Sequence, residues 1–175
     1  RLNKRIEAFS KMKHDSEEYK KEKQALNELS SKISSLVIFA DRNATNDPQV
    51  CLYLSRYYRL SDLKAKAKEY INQGLAVTPD DPKLVLEANH VAEAYNDNAT
   101  SLTHLRHLRK LQPDEISHRV KLGFLLWRTG MAADAKQEFT AAVDRPGVAK
   151  DDRACILGLL GRGKESLELY KELAE

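Results

Sequence analysis

The stretch Leu122-Gly-Phe-Leu-Leu-Trp-Arg-Thr-Gly-Met-Ala-Ala-Asp-Ala-Lys-Gln-Glu-Phe-Thr-Ala-Ala142 decides the fold. Its key positions are Leu122, Gly123, Leu126, Gly130, Ala135, Phe139 and Ala142, and their spacing describes two short helices meeting at Gly130, which supplies the left-handed residue of the turn. Neither helix can bury its apolar face alone, so the unit needs stacked neighbours.

Those neighbours are visible on both sides. Ala67, Ser101 and Ala135 lie 34 residues apart, as do Pro79 and Pro113, and Ser166 follows Ala135 by 31. Each small residue is followed four positions later by a larger one: Ile71, Leu105, Phe139 and Tyr170. The small residue lets the first helix of its hairpin approach, and the large one fills the gap toward the next hairpin. Asp47-Pro48 and Asp81-Pro82 repeat one period apart as a capping carboxylate followed by a first-turn proline. Thr78-Pro79-Asp80 and Gln112-Pro113-Asp114 end helices, because a proline disfavours continuation. The expected fold is all-α: an α-solenoid of helix-turn-helix hairpins over 48–81, 82–115, 116–146 and 147–175, in a repeat domain covering 47–175.

This pattern resembles the tetratricopeptide repeat family from about Asp47 onward. The best unit is the opening one, followed by Cys51, Leu54-Ser55, Tyr58, Ala67, Ile71, Gly74 and Pro79. Val85, Ala88-Asn89, Ala92, Ser101, Leu105, Leu108 and Pro113 keep size and spacing, and Ala154, Leu157, Gly161, Ser166, Tyr170 and Leu173 form a shorter terminal unit. Even Ile33, Val37 and Ala40 lie one period before Ala67, Ile71 and Gly74. The resemblance implies a right-handed superhelix whose first helices line a concave groove, where the family grips an extended peptide or a partner's helix.

Residues 1–42 form a second expected region. Residues 2 to 42 read as one long helix without Gly or Pro, and Leu26, Leu29, Ile33, Leu36 and Ala40 keep a three-four spacing along it. Leu2, Ile6, Phe9 and Met12 form an upstream stripe, separated by the charged segment Lys13 to Gln24. Such a helix docks on the repeats, forms a coiled-coil-like homodimer seam, or binds a partner. The chain carries a formal charge of +3, and residues 1–42 hold ten Lys/Arg against seven Asp/Glu, so the surplus lies wholly there. No run reaches the roughly 20 apolar residues of a membrane span, and no signal peptide is visible. With the chain already in helical register at Arg1, these features suggest a fragment lacking an upstream membrane anchor. The corresponding expectation is a cytoplasmic adaptor tethered to the inner membrane, in bacterial envelope or exopolysaccharide assembly.

Catalysis finds little support in the sequence, which has no phosphate loop, no nucleophile motif and no paired-carboxylate signal that stands out from ordinary surface charge. His104 and His107 share a helix face without a ligand at metal-binding spacing, so no metal or cofactor is expected. Cys51 and Cys155 match no metal or redox spacing and read as core thiols. Lys64, Lys66 and Lys68, with Arg106, Arg109 and Lys110, place cations on two second helices. Residues 43–175 are nonetheless neutral overall and no aromatics interleave, which argues against nucleic acid.

Function is therefore expected on the first helices, at positions not needed within a hairpin: Gln49, Leu52, Arg56 and Arg59, then Lys83, Leu86, His90 and Glu93, then Val120, Phe124, Trp127 and Arg128. The partner-binding set drawn from these is Arg56, Arg59, His90, Glu93, Phe124, Trp127 and Arg128. Trp and Arg bring area or forked donors at low ordering cost, so Trp127 is the first anchor and the arginines suit an acidic segment. Chaperone-binding members of the family clamp a carboxylate with Lys and Asn on successive first helices. The matching places hold Leu52 and Arg56, Leu86 and His90, and Val120 and Phe124, so that clamp is absent. The sequence thus points to a non-catalytic adaptor for a protein or peptide, with a self-associating scaffold or a regulatory domain of a larger enzyme as alternatives.

Overall fold

The structure is a computed structural model describing residues 16–43 and 47–174. The chain divides into two compact units, Arg1–Thr45 and Asn46–Glu175.

In the first unit, α1 spans Glu17–Arg42. Ser16 caps it from an extended conformation, accepting from the Tyr19 N–H at 3.1 Å. Glu17 and Glu18 occupy the first turn and Arg42 the last, the arrangement that the helix dipole favours. This cap corrects the expectation of one helix from residue 2 to 42: the helix begins at Glu17, and the stripe Leu2, Ile6, Phe9 and Met12 lies outside the described residues. No residue of α1 is buried, and Leu36 and Phe39 are 68% and 67% exposed.

The second unit is a run of four helical hairpins. They pair α2 (Pro48–Leu60) with α3 (Lys64–Val77), α4 (Pro82–Ala94) with α5 (Asn98–Leu111), α6 (Ile116–Arg128) with α7 (Ala132–Ala142), and α8 (Lys150–Leu159) with α9 (Gly163–Ala174). Successive hairpins pack through α2 and α3 on α4 and through α5 on α6. Asp47 accepts from the N–H groups of Gln49 and Val50, and Asp81 from that of Lys83, each followed by its N1 proline.

The turns follow the period too. Positive φ falls at Asp62 (58°), Asn96 (55°), Gly130 (83°) and Gly161 (82°), so the left-handed position recurs every 34 residues and then after 31. Asp and Asn tolerate this region better than other residues with a Cβ, which is how two hairpins turn without glycine.

Within each hairpin the small residues act as expected. Ala67, Ala135 and Phe139 are fully buried, and Ser101 nearly so. Ser55 donates to the Ala67 carbonyl at 3.0 Å, and Ser166 to the Ala154 carbonyl at 2.7 Å. Gly123 lies under the Phe139 ring, where an added Cβ would stand 2.6 Å from a ring carbon. One apolar core runs from Val85 through Leu105, Leu122, Phe139 and Val143 to Ile156 and Leu157. Two expectations are corrected. Tyr170 is 47% exposed, because no described helix packs on the outer side of α9, and Cys155 is partly exposed while Cys51 is buried.

Candidate partner-binding face of the first helices

The seven expected residues fall into two groups that meet on α4. In the first, Arg56, Arg59 and His90 converge on Glu87, whose side chain is 0% exposed. Arg59 forks onto it, Nε at 2.7 Å from Oε1 and Nη2 at 3.2 Å from Oε2. Arg56 Nε stands at 3.4 Å and His90 Nδ1 at 3.7 Å. Burial alone would raise the Glu87 pKa, but the contacts from His90 and Arg59 more than offset it and hold the carboxyl below its ordinary range. With two guanidinium groups on one carboxylate, the cluster keeps an excess positive charge. Its most exposed member is Arg56, at 41%.

The second group is Glu93, Phe124, Trp127 and Arg128, which line a cleft of about 420 Å³ together with Leu105, Lys121 and Leu125. Phe124 packs edge-on against Phe139, centroids 5.1 Å apart. Trp127 is 40% exposed and so is not part of the core. Glu93 accepts from Asn89 Nδ2 at 3.0 Å, and Asn89 Oδ1 in turn accepts from Ser101 at 2.7 Å. Arg128 donates to Asn98 Oδ1 at 3.0 Å, which ties the end of α6 to the start of α5. His90 and Glu93, three apart on α4, bring the two groups onto one face.

Leu52 and Val120, read from sequence as groove positions, are instead buried, because first helices pack on neighbouring hairpins as well as on their own partners. The sequence reading also passed over Glu87. One period earlier and later the same position holds Tyr53 and Lys121, so nothing in the pattern marks it as interior. Glu138 was missed in the same way: it is buried on α7, accepting from Arg109 and from Arg119 Nη1 at 2.8 Å. Arg109, counted above in a basic patch, is thereby neutralised.

Comparison with solved structures settles the architecture. The chain superposes on MamA from AMB-1 with a TM-score of 0.63 at 21% identity, over 82% of this chain and 88% of that one. It superposes equally on YrrB, a TPR protein with an unusual peptide-binding site, at 16% identity over 94% and 88%. The TPR-like repeats of a putative kinesin light chain from Podosopora anserina give 0.62 at 14% identity over 99% and 93%. The chain has the tetratricopeptide-repeat fold. No family model and no curated protein sequence matches it. At these identities the likeness is one of architecture and shows the fold alone.

Proposed function

We propose that the repeat unit is a non-catalytic adaptor that takes a segment of a partner protein or peptide along its concave first-helix face. Trp127 carries this reading: a large aromatic side chain stays 40% exposed at the rim of a cleft floored by Leu105, Phe124 and Leu125, with Lys121 and Arg128 beside it. Burying such a side chain on binding supplies hot-spot energy at small entropic cost. Arg56 adds a half-exposed guanidinium on the same face, so the segment that suits it best joins an apolar anchor to an acidic residue. The YrrB likeness supports a peptide ligand by analogy of fold. Selection of a random peptide library on residues 47–175 tests this. Enriched sequences pairing Asp or Glu with an aromatic or aliphatic residue, and quenching Trp127 fluorescence, are expected; enrichment of basic peptides would contradict the charge argument.

A finer version places the adaptor in the cytoplasm, tethered to a bacterial inner membrane during envelope or exopolysaccharide assembly, motivated by the cationic surplus in residues 1–42. Among the described residues no helix is long and apolar enough to cross a membrane. Recovery of the full-length protein wholly in the soluble cell fraction would contradict it. The exposed stripe of α1, with Leu29, Ile33, Leu36 and Phe39, favours one further reading, a homodimer through that helix. Sedimentation of this chain beside one starting at Asp47 decides it, since a monomeric mass for both removes the dimer.

A further inference from the structure

The second helices carry a feature that the adaptor reading does not use. Between α3 and α5, above the outer side of α4, lies a cleft of about 200 Å³. Its floor is apolar, made by Ile71, Ala88, Val91 and Ala92, and its rim carries Lys68, Asn72, Tyr95 and His104. The size suits one branched aliphatic group, since an apolar cavity of about 150 Å³ accepts a benzene ring.

The repeat supplies its own control, because the next crevice, between α5 and α7, holds the register equivalents of the same residues. There Arg106 and Asp134 reach across at 4.0 Å, where Asn72 and Thr100 stand one period earlier. Leu102, buried, takes the place of Lys68. Glu138, held by Arg109 and Arg119, takes the place of His104. One crevice is therefore spanned by an ion pair beside a buried leucine, and the other carries polar groups around an apolar floor.

Some of these polar groups already engage one another, and Lys68 acts electrostatically on Asp97, whose carboxylate lines the same cleft. Asp97, in the cleft lining, accepts from Thr100 through the backbone N–H at 3.0 Å and the hydroxyl at 2.6 Å. Lys68 stands 5.6 Å over the Tyr95 ring and forms no ion pair among the described residues. His104 is half-buried, and burial followed by the neighbouring His107 pushes its pKa down, so at neutral pH it is an uncharged donor and acceptor.

We propose that this cleft is a second binding site, taking an aliphatic side chain that lies next to a carboxylate in a peptide. The side chain rests on Ile71, Ala88, Val91 and Ala92, and the carboxylate pairs with Lys68 beside Asn72 and His104. The site is walled by the second helices α3 and α5 and floored by α4, through residues other than the seven of the first-helix face.

The probes are N-acetyl-leucine, which carries both groups, and N-acetyl-leucinamide, which lacks the carboxylate, each titrated into the whole chain while the Ile71 methyl and His104 ring signals are followed by NMR. N-acetyl-leucine is expected to bind saturably in the millimolar range, the scale for so few atoms, and about fivefold more tightly than the amide, the factor an exposed ion pair supplies. Asn72→Arg with Thr100→Asp copies the bridge of the next repeat and is expected to abolish both titrations. Lys68→Met, a change at the rim, is expected to leave the two probes binding equally. Absence of saturable shifts, equal affinity of the unaltered chain for both probes, or persistence of the shifts in a folded bridge variant would each overturn the assignment.

Discussion

Glu87→Gln is the change most informative about how the first two hairpins hold together. It preserves the shape of a side chain that is 0% exposed and removes the charge shared by Arg59, Arg56 and His90. Hydrogen bonds to a charged group contribute about 1.5–3 kcal/mol each, and Arg59 makes two to Glu87, at 2.7 and 3.2 Å. The released guanidinium groups are not stranded, because Arg59 and Arg56 are 22% and 41% exposed and can turn to water. The cost therefore stays below the roughly 3–5 kcal/mol of breaking a fully buried pair. We expect about 2 kcal/mol, which for a unit of this size lowers Tm by about 4–8 °C. Urea titration followed by circular dichroism measures it, with Arg59→Met and the double variant completing a cycle. The native carboxyl titrates below its unfolded value of about 4.3. Its stabilisation is thus complete above that pH and is lost as pH falls through the lower folded value, so Glu87→Gln removes this acid limb. A loss smaller than about 0.5 kcal/mol, or additive single variants, would refute the inter-hairpin staple.

His118 is buried, with Nε2 paired to Gln112 at 2.9 Å and Nδ1 unpartnered, and burial lowers its pKa. The unfolded chain then takes the proton first as pH falls below about 6.5, so stability is full above that value and declines beneath it. His118→Leu, which copies Leu84 one period earlier, is expected to flatten Tm between pH 7 and 5; an unchanged slope would contradict this. Gly123→Ala drives a methyl to 2.6 Å from the fully buried Phe139 ring, and an overpacking cost of about 1–3 kcal/mol should appear in the same urea titration. Trp127→Ala should change the midpoint little while weakening any first-helix ligand about 30-fold, the scale of a hot-spot residue; a large fall in stability would return Trp127 to a structural role.

The hairpin array was legible because it rests on spacing. Ala67, Ser101 and Ala135, each with its large residue four positions on, are sterically obligatory where two helices approach, and sterics leave a mark in residue size. Asp47-Pro48 and Asp81-Pro82 were legible for a similar reason, since a capped first turn demands particular chemistry. The left-handed turns at Asp62 and Asn96 were harder to see, because only Gly130 announces such a φ unambiguously. Buried charge was not legible. Glu87 and Glu138 sit in positions that hold Tyr53, Lys121 and His104 elsewhere in the repeat, and only their arginine partners from other helices, 28 and 29 residues away in the case of Arg59 and Arg109, make their burial tolerable. The same blindness let Arg109 pass as a surface cation and Leu52 as a groove residue. Arg56, Arg59 and His90 meet in the structure on a carboxylate that only tertiary structure supplies.

The adaptor claim is tested most directly by affinity capture from native extract, with the whole chain as bait beside a variant carrying Arg56→Glu and Trp127→Ala. The account predicts a partner retained by the unaltered chain and lost by the variant, while both melt at similar temperatures. A partner that the variant retains, but that is lost when residues 1–42 are removed, would contradict it and move the binding surface to the first region of the chain.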